Sequence, residues 1–149
     1  MRLARKLLAL PAREWRDLVA AQWALLMAQW RLRSRPTGSL LDQWSSGARP
    51  TSETDHRQLR RAREIGTAVR RAALHGLTRP QCLARSLAIC EMLEAEHIRG
   101  AIVRIGVRPQ DASITAHAWV EYAGELVGDS PAHVKRFELL ATANGALKR

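Results

Sequence analysis

Three residues whose side chains perform nucleophilic catalysis when they meet occur along the chain in the order Cys82, His117 and Asp129. A cysteine attacks a carbonyl carbon as a thiolate, so it needs a base to accept its proton and a third group to hold that base. We predict Cys82 in the first turn of a helix, where unpaired backbone N–H groups and the helix dipole favour a negative charge. A lone cysteine is most often buried filler, so the catalytic interpretation depends on the elements that position the three side chains.

Two strands of a hairpin are predicted to carry the histidine and the aspartate. Apolar and β-branched residues predict these strands at Thr115–Tyr122 and Glu125–Asp129, on either side of a turn at Ala123-Gly124. His117 stands between two alanines, which leave space around an imidazole ring. Asp129 ends the second strand of the hairpin. The candidate base and the carboxylate that would orient it therefore lie on neighbouring strands.

The length of the hairpin loop decides whether these two side chains meet, because a slip of one residue turns a strand's side chains to the other face. A three-residue loop, Tyr122–Gly124, with its glycine in the left-handed conformation places His117 opposite Asp129. A two-residue loop, Ala123-Gly124, places His117 opposite Ser130 and turns the aspartate to the other face. We predict the three-residue loop, because glycine suits its last position and the carboxylate then reaches the histidine.

Helices are predicted before these strands, which gives an α+β plan of helices first and an antiparallel sheet afterwards. The second helix begins near Ser52 or Thr54 as its cap and carries a face of arginines that includes Arg61. The third helix is predicted over Pro80–Glu96, with Cys82 near its start. A strand follows at residues 101–108, and Pro131 is predicted to open a last helix that runs to about residue 143.

The first helix presents a tryptophan-rich apolar face, whose members recur at spacings of three and four residues. We interpret this face as packed on the core, because most large apolar side chains are buried. A face that grips a peptide or lies on a membrane surface is the alternative. Short helical segments are also predicted at Leu3–Leu10 and Leu40–Trp44. The tryptophan-rich face consists of Trp15, Val19, Trp23, Leu26 and Trp30.

The composition describes one folded domain. The chain has 149 residues, of which 46% are hydrophobic and 26% charged, and this excludes a disordered or fibrous protein. We divide it into an N-terminal helical segment and linker, residues 1–55, and a core, residues 56–149. Its 24 Lys and Arg residues against 14 Asp and Glu give a net charge of +10, which predicts an acidic partner.

The sequence contains no membrane span and no export signal that we recognise. Its longest uncharged stretch, Leu18–Trp30, is shorter than the roughly 20 apolar residues that a spanning helix needs. The short apolar run after the N-terminal basic residues is followed by charges and lacks a cleavage site. Two cysteines are too few for a disulfide scaffold, so we expect a cytoplasmic protein.

The second cysteine and the other histidines are not expected to take part in the chemistry. Cys90 follows Cys82 on the same helix at a distance of about 12 Å, at about 1.5 Å per residue. A disulfide tolerates a Cα separation of roughly 7 Å, so we place Cys90 in the core. The remaining histidines lack metal-ligand spacing, and no metal or other cofactor is predicted. They are His56, His75, His97 and His133.

The segments around the three candidate residues resemble the leader peptidases of lasso-peptide biosynthesis, which are small transglutaminase-like cysteine proteases. The resemblance extends over roughly residues 65 to 129, nearly half of the chain. The most specific part of the match is the run through Trp119, in the histidine motif. The matching segments are Arg79–Ala88 around the cysteine, His97–Ala101 and Arg104–Arg108 at the strand entry, Ala116–Glu121 around the histidine, and Val127–Asp129 at the aspartate.

The resemblance implies a transglutaminase/papain-like core in which Cys82 is the nucleophile, His117 the base and Asp129 the group that orients the imidazole. It also implies a precursor peptide that is cut between leader and core, and a separate ATP-dependent cyclase. A recognition-element protein would hold the leader. We expect the stand-alone form of the protease, because the first 75 residues show no strands for a fused recognition element. The expected docking surface combines the first two helices, with Trp23 and Arg60 as the residues to test.

Two residues beside the predicted nucleophile and base are candidates for substrate contact. The side chain of Gln81, together with the backbone N–H of Cys82, suits an oxyanion contact, and it equally suits a place in solvent. Trp119 has the same strand parity as His117. It is therefore either a residue of the sheet alone or a wall of the cleft.

Two other functions fit the sequence. In the first, the arginine face binds nucleic acid or a peptide and the cysteine is inert, although no helix-turn-helix, RNA-binding or zinc signature is present. In the second, the thiol carries out acyl transfer, as other transglutaminase-like proteins do, with an amine in place of water. We predict the peptidase, without a nucleic-acid partner.

Overall fold

The structure is a computed structural model, which describes residues 11–36, 55–111 and 113–140. Within these ranges three long helices precede a small antiparallel sheet, so the predicted α+β class is confirmed. The predicted helical segments at Leu3–Leu10 and Leu40–Trp44 lie outside the described residues. None of the helices in the described ranges is long and apolar enough to cross a membrane.

The three long helices form one layer. Helix α1 spans Ala12–Ser34, α2 spans His56–His75 and α3 spans Cys82–Ala95. Each contacts the other two. The second helix begins later than predicted, because the carboxylate of Asp55 accepts a hydrogen bond of 2.8 Å from the backbone N–H of Arg57 and caps it. The third begins at Cys82 rather than Pro80, so that Gln81 occupies the cap position.

Helix α1 packs through small side chains, and the prediction that its tryptophan-rich face lies in the core is wrong. Trp15, Trp23 and Trp30 are 40%, 64% and 59% exposed. The buried apolar residues follow the same helical period and are Ala21, Ala24, Leu25 and Ala28, with Asp17 buried on the same face. Short side chains let the axes of neighbouring helices approach closely, and indole rings on that side would hold α1 away from α2 and α3.

Arg61 belongs to the predicted arginine face of α2, but its side chain is buried against α1. Its guanidinium donates hydrogen bonds of 2.6 and 2.8 Å to the two oxygens of Asp17. Glu64 and Glu96 also accept from it. The hydrogen bonds from Arg61 hold the pKa of Asp17 below its ordinary value, although burial acts in the opposite direction. This bidentate pair joins α1 to α2.

Cys90 lies in the core of α3, as predicted, with none of its surface exposed. Burial raises the pKa of the Cys90 thiol, because the thiolate would lose its hydration there. Both Cys82 and Cys90 are free cysteines. The only cysteine of α3 that is not fully buried is therefore Cys82, at the start of the helix.

The sheet has four antiparallel strands in the order β3-β2-β1-β4. Their bounds are Ile102–Gln110 for β1, Ser113–Tyr122 for β2, Glu125–Val127 for β3 and Glu138–Leu139 for β4. The predicted long last helix is wrong: α4 covers only Pro131–Val134, and the chain then returns as β4 beside β1. The half-buried ring of Phe137 explains the return, because its Cβ packs over Gly106 of β1, where a side chain would collide with it.

Helix α3 covers one face of the sheet. Val103 on β1 pairs with Val120 on β2, and both are buried in the core together with Ala118. Side chains alternate between the faces of a strand, so His117 and Trp119 belong to the opposite face. β3 pairs with β2 only from Val120 to Tyr122, so the edge of β2 beside His117 is left without a β3 partner.

Candidate active site

His117 and Asp129 are in direct contact. The distance between Nε2 of His117 and Oδ2 of Asp129 is 2.6 Å, and His117 is only 5% exposed. The backbone N–H of Ser130 donates to the other carboxylate oxygen at 2.7 Å. Because an ionised carboxylate only accepts hydrogen bonds, Nε2 carries the proton that it donates to Asp129. With Nε2 as the donor to Asp129, Nδ1 is the ring nitrogen that remains to accept a proton.

The hairpin that carries these residues does not have the predicted register. Tyr122 pairs with Glu125, so the loop contains two residues, Ala123 and Gly124. Their φ angles of +51° and +78° are those of a type I′ turn. The predicted three-residue loop is therefore wrong, and strand pairing does not place His117 opposite Asp129.

The carboxylate reaches the histidine because the strand ends early. β3 stops at Val127, and Gly128 turns the chain with a φ of +77°. There is no room for a side chain at this turn: a Cβ on Gly128 would lie 2.6 Å from Cδ1 of Ile89 on α3. A Cβ on Gly66 of α2 would lie 2.5 Å from the backbone nitrogen of Gly128. The turn is thus held between two helices, and it brings Asp129 to the open edge of β2.

Aromatic rings enclose the imidazole of His117. The ring of Trp119 is stacked with it at a centroid distance of 6.1 Å, and the rings of His133 and Phe137 lie at 4.5 and 5.0 Å. Burial lowers the pKa of His133, and the neighbouring His117 acts in the same direction. These rings bury the imidazole, and its hydrogen bond within the described residues is the contact with Asp129.

Trp119 belongs to the sheet and also lines the small cavity at Cys82, while its predicted contact with substrate stays a prediction. It is a residue of β2, 4% exposed, and its indole Nε1 donates to Glu121 at 3.1 Å. It also lines a cavity of about 10 Å³ together with Cys82 and Asp129. A volume of this size holds about one water molecule.

Cys82 lies at the same cavity, at the start of α3, and is partly buried. Within the described residues no hydrogen bond joins its thiol to His117, so the structure brings together the histidine and the aspartate but not all three side chains. Asp129 lines the cavity with Cys82, whereas His117 is not among the described residues that line it. Hydrogen bonds of catalytic groups are often long or absent before substrate binds.

The other predicted site residues are not among those that line this cavity. Gln81 occupies the cap position of α3, is exposed, and makes no side-chain hydrogen bond within the described residues. Trp23 and Arg60 are exposed on α1 and α2. The oxyanion contact and the partner contacts therefore stay predictions.

Three residues at the site were not singled out from the sequence. Arg85 lines the cavity with Cys82, and its position three residues later on one helix would have placed it on the same face. His133 and Phe137 belong to the segment that was predicted as a long helix. Local periodicity does not reveal that this segment folds back over the sheet.

A cavity of about 440 Å³ lies elsewhere, between α1 and α2. Its lining contains carboxylates and arginines that are already paired, among them Glu14 with Arg71 at 3.1 Å. Neither the cysteine nor the histidine of the candidate site lines it. The larger cavity is therefore not the one at which the residues support thiol chemistry.

The comparisons with known proteins agree with this geometry at the level of a superfamily. A family model described as Transglutaminase-like superfamily matches residues 23–142, which include α2, α3, all four strands and the three candidate residues. No curated protein and no solved structure matches the chain.

Gly66→Ala should displace the turn at Gly128 and separate Asp129 from His117. We expect the free energy of unfolding to fall by about 2 kcal/mol through overpacking. We also expect the loss of a downfield proton resonance from the His117 ring, which marks its hydrogen bond to the carboxylate.

Gly124→Ala is the matched control, because nothing lies within 4 Å of its Cβ. It should cost about 1 kcal/mol of backbone strain and keep the resonance. An unchanged resonance in folded Gly66→Ala would contradict this account of the turn.

Proposed function

The chain belongs to the transglutaminase-like superfamily, and from that membership we propose that it is a cysteine peptidase that removes the leader from a lasso-peptide precursor. Members of this superfamily act as cysteine peptidases or acyltransferases. The observation that carries the proposal is the 2.6 Å contact of His117 with Asp129, next to the cavity that Cys82 lines. A helix start, a buried imidazole and a carboxylate that orients it are the parts that thiol catalysis needs.

In the first step, the thiol of Cys82 gives its proton to His117 as Sγ forms a bond to the carbonyl carbon of the peptide. Since Nε2 donates to Asp129, the proton goes to Nδ1. The carboxylate stabilises the imidazolium that results. The C–N bond then breaks, and the imidazolium gives its proton to the leaving amine, which becomes the N-terminus of the core peptide.

In the second step, water attacks the thioester between Cys82 and the leader. His117 accepts a proton from this water, the C–S bond breaks, and the proton returns to the thiolate. The leader leaves with a new carboxylate, and the enzyme regains its starting state. If an amine took the place of water, the product would be a new amide. The mass of the product therefore separates hydrolysis from acyl transfer.

The substrate class is supported by the sequence segments around the site. Arg79–Ala88 and Ala116–Glu121 resemble the cysteine and histidine motifs of lasso leader peptidases. In the structure these segments form the start of α3 and the centre of β2, which meet at the cavity. We propose that the precursor lies across the open edge of β2, with its leader held by a recognition-element protein and its product passed to a separate cyclase.

Cys82→Ala and His117→Ala should each lower the rate of precursor cleavage, in the presence of the recognition-element protein, by at least about a thousandfold. Mass spectrometry of the two product peptides measures the rate. Cys90→Ala and His97→Ala are the controls, and both should cleave at nearly the wild-type rate. Circular dichroism checks that every variant is folded. Substantial cleavage by folded Cys82→Ala would exclude the thiol mechanism.

The partner is proposed to dock on the exposed faces of α1 and α2. Three tryptophans of α1 are exposed, and large exposed apolar side chains often mark an interaction site. Exposed tryptophans and arginines are the residue types that contribute most to binding at protein interfaces. Trp23 and Arg60 both belong to these faces.

Trp23→Ser and Arg60→Gln should reduce the stimulation of cleavage by the recognition-element protein at least about fivefold. The measured quantity is the ratio of cleavage rates with and without the partner. Ile114→Ser is a matched control, because Ile114 is an apolar side chain of β2, outside both helices, and is 75% exposed. It should keep the wild-type ratio. If both test variants kept that ratio too, the proposed docking surface would be wrong.

A further inference from the structure

Arg85 differs from the other partly buried arginines of the described residues, because its guanidinium has neither a carboxylate nor any hydrogen-bond partner within them. Partly buried cations are normally paired, since an unpaired charge loses hydration without compensation. Three of the others pair with carboxylates, which are Glu91 for Arg31, Asp17 for Arg61 and Glu121 for Arg104. Arg108 has neutral partners instead, the amide of Gln110 and the ring of Phe137.

Arg85 lies at the site of the proposed chemistry. It lines the same cavity as Cys82, one helical turn further along α3. The pKa of His133 is lowered first by its burial and then by nearby positive charges, which include His117 and Arg85. The charge of Arg85 is therefore close enough to His133 to act on that ring.

The acidic residue of the cavity does not neutralise Arg85. Among the described residues that line this cavity, Asp129 is the only carboxylate. One of its oxygens accepts from His117 and the other from the backbone N–H of Ser130. Within the described residues Arg85 is therefore left without an anion to pair with.

We propose that Arg85 is a specificity-determining residue that binds a carboxylate of the substrate peptide beside the scissile bond. A guanidinium presents parallel N–H donors that match the two oxygens of a carboxylate. The carboxylate is either the side chain of an Asp or Glu residue or the free C-terminus of a short peptide. The inference rests on the proposed function for its substrate, while the anion contact itself can be measured without any cleavage.

Alkylation of Cys82 by two small reagents tests the anion contact. Iodoacetate and iodoacetamide differ mainly in the negative charge, and mass spectrometry gives their rates at Cys82. Arg85→Gln should lower the ratio of the iodoacetate rate to the iodoacetamide rate by about tenfold, which is the effect of one charge-assisted hydrogen bond. Arg79→Gln is the control, because it removes one charge from an exposed side chain three residues before Cys82. It should leave the ratio nearly unchanged.

Chloroacetyl peptides distinguish the two sources of the carboxylate. Chloroacetyl-Glu amide carries a side-chain carboxylate, chloroacetyl-Gln acid carries a terminal one, and chloroacetyl-Gln amide is the neutral reference. The proposal expects one acidic probe to label wild-type Cys82 faster than the reference, and expects this preference to vanish in Arg85→Gln.

Equal labelling by all three probes, or an equal loss of preference in Arg79→Gln and Arg85→Gln, would overturn the proposal. A preference that depends on Arg85 in a protein that cleaves no precursor would retain the anion site and reject the proposed peptidase function instead. The two hypotheses therefore fail separately.

Discussion

The close approach of Gly66 on α2 to Gly128 after β3 is the constraint on which the candidate site depends. The hairpin register by itself would turn Asp129 away from His117, because the loop has two residues. The left-handed turn at Gly128 ends β3 early and leads the aspartate to the edge of β2. Only glycine fits at this turn, because α2 and α3 leave no space there for a Cβ. Packing of α2 and α3 on the sheet thereby determines a contact between two side chains on the sheet's edge.

The same arrangement gives the two ring nitrogens of His117 different roles. Asp129 occupies one nitrogen of His117, and aromatic rings enclose the imidazole, so the other nitrogen is the one left for a thiol. Cys82 reaches the cavity from the start of α3, where backbone N–H groups favour a negative charge. The fully buried Cys90 has no such access. One helix thus carries an inert cysteine in the core and an accessible one at its end.

Sequence patterns predicted those parts of the fold that depend on local periodicity, which are α2, α3, β1 and β2. They failed where two faces of one helix have the same period, and where packing between residues distant in sequence determines the local structure. Both faces of α1 repeat every three to four residues, and the small residues around Ala24 pack closer than Trp23 could. The hairpin loop and the turn at Gly128 depend on helices distant in sequence. Cys82, His117 and Asp129 were proposed from residue type and resemblance, whereas Arg85 emerged only from its missing partner.

The measurement that tests the central claim most directly is the pH dependence of iodoacetamide alkylation at Cys82 and Cys90, in wild type and in His117→Ala. A thiol enzyme of the proposed kind should alkylate rapidly at Cys82 well below the pH at which a free thiol reacts, about 8.5. His117→Ala should remove this reactivity, and Cys90 should stay inert in both proteins because it is buried. Equal, slow alkylation of Cys82 with and without His117 would contradict the account.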